Sequence, residues 1–471
     1  MKIVNFILKI YNDIPLAVVN IIAPLFYLIP IRYRYGSIFW KQYSSLISGK
    51  SLTERQRERC EIRLLRHKLI KAYEEIPFYR ESFSKTKFNP YEFKSVDDLN
   101  KISMIDKADV QNKRENMIKN GVFKEELDYV TTSGTTGQPM GFYQDRKLIM
   151  REWAYVNYVW KRLGYAPDSS RLILRGKIFR EKRLKGKCWQ WDALKRELSI
   201  DVFAMTKENL RVYCDKIEKY KPQYVHGYMS AIMVLCHFIE QYGLKHSFSG
   251  VLAVSEPVKF DQRQYVEKIL NTRVFSFYGH TERLVMAAEC EYSTEYHIEP
   301  EYGFVELIDS EGKQIWEPGV RGEIVATGFL NESMPLIRYK TGDIAEWSEY
   351  AECACGRSHR RLKSVEGRWG DILLGKSGTK ISITALNMHS RVYDNVIKYQ
   401  FYQEKEGEVW LKVVPAEKFS ESDIDTIKRE LIEKVGDELN ITIKIVEDIP
   451  VGANGKFSLI NQKLKYNINN W

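Results

Sequence analysis

The sequence shows no internal repeat and no low-complexity tract, which excludes a solenoid, a fibrous assembly or a largely disordered chain. Its glycine- and threonine-rich loop is followed by no Gly-Lys-Ser/Thr, so it is not a Walker loop and a plain NTPase is disfavoured. Seven cysteines in 471 residues are few and odd in number, which fits a reducing cytoplasm better than a disulfide framework. Although the formal net charge is +10, the basic clusters Arg32 to Arg34 and Arg180 to Lys187 lack the interleaved aromatics of a nucleic-acid module. Nucleic acid is therefore rejected as a partner. A solvated face is the plainer reading of this charge, and an anionic substrate or a membrane surface also fits it.

What is present is a globular composition, 44% hydrophobic and 28% charged, long enough for two or three domains. Residues 14–31 (IPLAVVNIIAPLFYLIPI) carry no charge but contain Pro15, Pro24 and Pro30. Pro24 removes a backbone hydrogen bond in mid-segment, and Lys2 and Lys9 precede it without a small-residue cleavage site. The expectation is a helix lying on a membrane surface or packed on the protein, in preference to a membrane span or a signal peptide.

Residues 51–120 read as a helical layer, with Ile62, Leu65, Leu69 and Ile70 at helical spacing. Asp145 is placed to cap a helix carrying Ile149, Trp153, Val156, Trp160 and Leu163, which Gly164 stops. From 170 to 280, apolar runs (RLILRG, QYVHGY, GVLAVS, RVFSFYG) alternate with helical stretches, the pattern of an α/β sheet. From 300 to 350, short strands between turn signals suggest hairpins or a small barrel. Past Gly367 the composition resets to a compact α+β unit, giving an apolar segment 1–50, a large domain 51–368 and a C-terminal lid 369–471, with the boundary near Trp369 to Asp371.

Five segments carry chemistry. Thr131-Thr-Ser-Gly-Thr-Thr-Gly-Gln-Pro139 puts two glycines and five hydroxyl residues in nine positions, so backbone amides and hydroxyls can wrap phosphate oxygens. Tyr278-Gly-His-Thr-Glu282 ends an apolar strand with an aromatic and a carboxylate able to hold Mg²⁺. Arg338-Tyr-Lys-Thr-Gly-Asp343 presents a carboxylate that can accept from both ribose hydroxyls. Gly367-Arg368 offers a guanidinium, and Gly452-Ala-Asn-Gly-Lys456 a lysine on a turn.

Taken in order, these segments resemble the core motifs of the adenylate-forming superfamily of acyl-CoA synthetases, luciferases and peptide-synthetase adenylation domains. IPFYRESF, VTTSGTTGQP, MPLIRYKTGD and IPVGANGKF are most similar to the branch of phenylacetate-CoA ligase, coenzyme F390 synthetase and CapK-like capsular-polysaccharide proteins. The resemblance spans about residue 33 to the end. It implies an α/β large domain of mixed sheets and helices with a small mobile α+β lid. It implies an ATP site of Thr132, Ser133, Gly134, Thr135, Thr136, Gly137, Tyr278, Gly279, Thr281 and Asp343, with Tyr278 near the adenine and Asp343 on the ribose. Glu282 with Thr281 or a loop threonine would hold Mg²⁺, Arg368 would bridge ribose and phosphate, and Lys456 would reach the carboxylate and the α-phosphate. Gly370 and Asp371 would form the hinge of the lid. Three positions depart from the common pattern: Met140 follows the loop proline, Gly370 sits at the hinge, and Ser458 lies two past Lys456.

The implied reaction is activation of a small-molecule carboxylic acid by ATP, with acyl transfer to CoA, to a carrier thiol or to an amine. His226, Tyr228 and Phe277 are candidates for the acyl pocket, with plain core as the alternative. The branch leaves open an aromatic acid or a sugar-linked or amino-acid carboxylate, as in polysaccharide biosynthesis. A catalytically idle scaffold at the membrane is a competing reading. Cys290, His297, Cys353 and Cys355 form Cys-x6-His followed by Cys-x-Cys, a set suited to tetrahedral Zn²⁺. His359 is a rival ligand and free thiols are the alternative.

Overall fold

The computed structural model describes residues 15–48, 52–132, 140–176, 188–349, 352–366, 372–382, 386, 391–449 and 459–464. The loop residues Ser133, Gly134, Thr135, Thr136 and Gly137, the hinge pair Gly370 and Asp371, and Arg368, Lys456 and Ser458 lie outside them.

The four apolar runs between 171 and 279 form parallel strands, Arg171–Leu174, Tyr224–Gly227, Gly250–Ala253 and Val274–Gly279, which lie side by side in that order. Side chains alternate across the sheet: Leu172, Val225, Val251 and Val274 join one core, while Tyr224, Leu252 and Phe275 join another with the helix Leu148–Trp160. Both faces are covered, so the strands read as nearly continuous apolar runs. Helices alternate with them as expected: Lys207–Tyr220 and Phe260–Leu270 cover the helical stretches read at 210–220 and 261–270, and Met229–Tyr242 lies between the second and third strands.

After Gly279 the chain reverses and Met286–Ala288 pairs antiparallel with Val274–Gly279. Tyr296–Ile298, Arg361–Glu366, Tyr339–Trp347, Arg321–Gly328, Gly303–Ile308 and Gln314–Ile315 follow outward, so one mixed sheet holds thirteen strands. The hairpins expected between 300 and 350 are present, but they extend this sheet and form no small barrel of their own. The physical reason is the free edge of Val274–Gly279, which the next strand takes up.

Asp145 does not cap the helix that follows it. The helix begins at Leu148 after Lys147 with no side-chain cap, and the Asp145 carboxylate accepts from the Glu332 backbone N–H at 2.8 Å and from Ser333. Ile149, assigned to the apolar stripe, is 53% exposed, and the buried face runs through Leu148, Tyr155, Val156, Val159 and Trp160. Gly164 ends this segment in the left-handed conformation, as expected.

The C-terminal part has its own four-stranded sheet, ordered Asn440–Ile445, Glu408–Pro415, Val396–Lys405, Ile460–Gln462, with the helix Glu421–Val435 started by a Ser420 capping box. At the other end, Leu16–Tyr27 is a 12-residue helix with Pro24 inside it. Among the described residues, no helix is long and apolar enough to cross a membrane.

Candidate active site and metal cluster

The phosphate-loop candidate joins two antiparallel strands, Leu127–Thr132 and Met140–Asp145, with Thr132 opposite Met140. Its backbone is therefore presented from a hairpin that packs into the core through buried Phe142 and Tyr143. Thr132 Oγ1, at the entry to the loop, is buried without a hydrogen-bond partner among the described residues. A buried hydroxyl left unpaired is costly unless a ligand satisfies it.

Tyr278 lies near the C-terminal end of Val274–Gly279, and its hydroxyl donates to Asp343 Oδ2 at 2.8 Å. Asp343 lies on Tyr339–Trp347, four strands away in the sheet. At about 4.8 Å per strand, a flat sheet would put those strands roughly 19 Å apart. The hydrogen bond therefore requires the antiparallel half of the sheet to curl over the end of the parallel half, forming a cleft wall. Burial, then the Asp343 charge, push the Tyr278 hydroxyl well above its ordinary pKa, so it stays a donor.

Glu282 is tied to the same two segments. Its Oε1 accepts from the Tyr339 hydroxyl at 3.0 Å, and its Oε2 lies 3.1 Å from His280 Nδ1. Burial alone would raise its pKa, but the His280 hydrogen bond and the charges of His280 and Lys107 outweigh it and hold the carboxyl at about 2. Glu282 is therefore an ionised oxygen donor at neutral pH, which fits a hard cation such as Mg²⁺. Met140 Sδ lies 3.6 Å from the Tyr339 hydroxyl, so the departure after the loop proline packs against the residue that holds Glu282. Gly279 ends the strand and Thr281 follows in the turn that His280 O closes with Arg283 N at 3.0 Å.

Not every motif residue faces this cleft. Arg338 is 3% exposed, pairs through Nε and Nη2 with buried Glu306 at 3.2 and 2.8 Å, and donates through Nη1 to Leu99 O and Ile102 O. It is an internal clamp. Thr341 donates to Ile324 O at 2.9 Å and accepts from the Asp343 N–H at 3.2 Å, which shapes the turn that carries the carboxylate. Tyr339 and His280 were not singled out in the sequence, although both sit inside the motifs quoted above.

Of the acyl-pocket candidates, His226 and Phe277 come together against Trp160, with ring centroids at 4.8 and 6.5 Å. His226 also lies 3.5 Å from buried Arg171, which is stacked over Trp153, Trp160 and Tyr165. Tyr228 is buried in the other core, at the start of the helix Met229–Tyr242, and is not brought to the same place.

The four metal candidates converge. Cys290 follows Met286–Ala288, His297 lies in Tyr296–Ile298, and Cys353 and Cys355 lie in the turn before Arg361–Glu366. Their ligand atoms lie within 4.8 Å of one another. Cys290 Sγ is 3.6 Å from Cys353 Sγ, and Cys355 Sγ is 3.9 Å from His297 Nε2. A disulfide needs about 2.05 Å, whereas Zn–S bonds of about 2.3 Å in a tetrahedron place sulfurs about 3.8 Å apart. The donor set and spacing fit zinc. Burial pushes the Cys290 thiol up to about 11 in the absence of a cation, although its Sγ accepts the backbone N–H groups of Tyr292 and Ser293 at 3.4 and 3.2 Å, bonds that pull toward a thiolate. His359 points elsewhere, its Nδ1 lying 3.9 Å from Glu299.

The fold is that of the acyl-CoA ligases to which the chain compares. A 2-hydroxyisobutyryl-CoA ligase, solved with 2-HIB-AMP and CoA in the thioesterification state, superposes with a TM-score of 0.58 over 92% of this chain and 96% of that one, at 18% identity. The family described as the CapK C-terminal domain matches residues 373–463. Protein CapK of Staphylococcus aureus is 26% identical over 463 residues, 96% of this chain and 99% of that protein. A phenylacetate-coenzyme A ligase of Thermus thermophilus is 24% identical over 415 residues, 79% of this chain and 88% of that one. Over nearly its whole length the chain is similar to CapK and, over most of it, to the phenylacetate-coenzyme A ligases, and it shares the fold of the 2-hydroxyisobutyryl-CoA ligase.

Proposed function

We propose that the chain is an AMP-forming acid ligase that activates a small-molecule carboxylic acid with ATP, releases pyrophosphate, and passes the acyl group to a thiol, with CoA ahead of an amine. The observation that carries this reading is the paired anchoring of Asp343 by Tyr278 and of Glu282 by Tyr339, which sets two carboxylates on one cleft beside the hairpin of the loop.

Adenylation brings a carboxylate to the α-phosphate while pyrophosphate leaves, so negative charge must be neutralised at both ends. Mg²⁺, when held by Glu282, supplies that neutralisation on the phosphate oxygens. Asp343, aligned by the Tyr278 hydroxyl, accepts the ribose hydroxyls, and the amides and hydroxyls of residues 132–137 receive the departing pyrophosphate. Lys456 draws the two anions together and Arg368 bridges ribose and phosphate. Gly370 and Asp371 let the lid withdraw Lys456 so that the acceptor can enter.

The finer reading is an acid of polysaccharide biosynthesis, supported by the end-to-end similarity to CapK. The same reading includes a structural Zn²⁺ on Cys290, His297, Cys353 and Cys355, and a cytoplasmic site of action, supported by seven cysteines none of which is in a disulfide.

A hydroxylamine-trapping screen that pairs aryl acids with sugar-linked and amino-acid carboxylates tests the reaction whatever the acceptor. Hydroxamate is expected with at least one acid, together with acid-dependent ATP–pyrophosphate exchange. Lys456→Ala should lower exchange about 100-fold or more while ATP binding persists. No exchange across the panel would favour an idle nucleotide-binding scaffold, and phosphate release without acid would favour an NTPase.

A further inference from the structure

The helix Leu16–Tyr27, with the turn after it, has two opposite apolar faces. Leu16, Val19, Ala23 and Phe26 are buried, and Val18, Ile21, Leu25 and Leu28 are 43, 75, 67 and 79% exposed. Both sets have the spacing i, i+3, i+7, i+10 of one helical stripe, offset by two residues, which places them about 200° apart. The buried stripe is accounted for: it packs on Leu194, Asn20 exchanges hydrogen bonds with Trp191 O and Ala193 N at 2.9 and 2.8 Å, and the Tyr27 hydroxyl donates to Leu194 O at 2.8 Å. The helix is thus fastened to the end strand of the large sheet, Trp189–Asp192, and its outward stripe is held rigidly toward solvent.

Charge within this stretch of sequence has one sign, although Asp13 precedes it and half-buried Asp168 lies near Tyr27. No Asp or Glu occurs from Ile14 to Thr53, while Arg32, Arg34 and Lys41 do. Arg32 is exposed and stacked over exposed Tyr33 at 4.7 Å, and Lys195 is exposed beside Leu194. Asp192, on the strand under the helix, is buried at 2%. Exposed aliphatics flanked by arginine and tyrosine, with no acid among them, match the interfacial zone of an anionic bilayer.

We propose that the outer face of Leu16–Leu28, with Arg32 and Tyr33, docks the enzyme on an anionic lipid surface as a helix lying in the interface. The described helix is 12 residues long with Pro24 inside it, shorter than the roughly 20 residues a span needs. This proposal is independent of the acid that is activated.

The test is co-sedimentation of the full-length protein with vesicles of phosphatidylglycerol and phosphatidylcholine, against vesicles of phosphatidylcholine alone. The protein is expected to partition at least tenfold more onto the anionic vesicles, and less as salt is raised. The double substitution Ile21→Glu/Leu25→Glu is expected to abolish partitioning, and Arg32→Glu to weaken it several-fold. Circular dichroism and hydroxamate formation should remain at wild-type level, because these side chains point away from the packed face. The proposal is overturned by no vesicle binding, by binding untouched by Ile21→Glu/Leu25→Glu, or by a homodimer that this substitution dissolves, which would assign the face to a second copy. Vesicle binding gained only after deletion of residues 1–14 would assign the face to the chain's own N-terminus and overturn it equally.

Discussion

At the scale of single residues, neighbours in one motif have opposite fates. Arg338 stands in the same motif as Asp343, yet four of its five N–H donors are spent on Glu306, Leu99 O and Ile102 O. Glu306 is fully buried, so removal of its partner leaves an uncompensated charge. Arg338→Met should therefore cost about 3–5 kcal/mol in a urea unfolding series. Lys340, two residues on, pairs with Glu323 at 3.2 Å but is 42% exposed, so Lys340→Met should shift stability by less than about 1 kcal/mol. Equal effects of the two substitutions would contradict the clamp assigned to Arg338.

At the scale of elements, the hairpin Leu127–Thr132 and Met140–Asp145 sets how the loop is presented. Gly141 matters because a Cβ there would stand 1.8 Å from the Tyr129 hydroxyl and 3.0 Å from Arg114 Nη1. That space is occupied: Arg114 donates to Tyr129 Oη at 3.0 Å and to Gly141 O at 3.2 Å, and the Tyr129 hydroxyl donates to Asp394 Oδ1 at 2.7 Å. Gly141→Ala should displace Tyr129 and cost about 1–3 kcal/mol, with a rise in KM for ATP larger than the fall in the rate at saturation. Calorimetry and steady-state exchange check the two parts separately.

At the scale of the whole molecule, curling of the thirteen-stranded sheet makes the cleft, and pairing of its neighbouring strands makes the metal cluster. Cys290 and His297 reach Cys353 and Cys355 because Arg361–Glu366 pairs with Tyr296–Ile298. Metal analysis of protein purified without added metal should find about one zinc per chain, and Cys353→Ser should lower that content. Chelation should lower the melting temperature, since binding to a folded-state site is folding free energy. Zinc content well under one equivalent in the unsubstituted protein would refute the cluster.

The sequence by itself determined the local structure and the chemistry on offer. The short apolar runs at 171–174, 224–227, 250–253 and 274–279 became strands because a brief, nearly continuous apolar run between helical stretches suits a strand covered on both faces. The order of the motifs was enough to expect Glu282 and Asp343 in one site and the Cys/His set in another. Only the tertiary structure decided that Asp145 holds Ser333 and caps no helix, that Arg338 is a clamp, that Tyr339 holds Glu282, and that Tyr228 turns away from His226 and Phe277. Each of these depends on strands brought together from distant parts of the chain, and on which face of the curled sheet a side chain takes. Local periodicity does not encode either one.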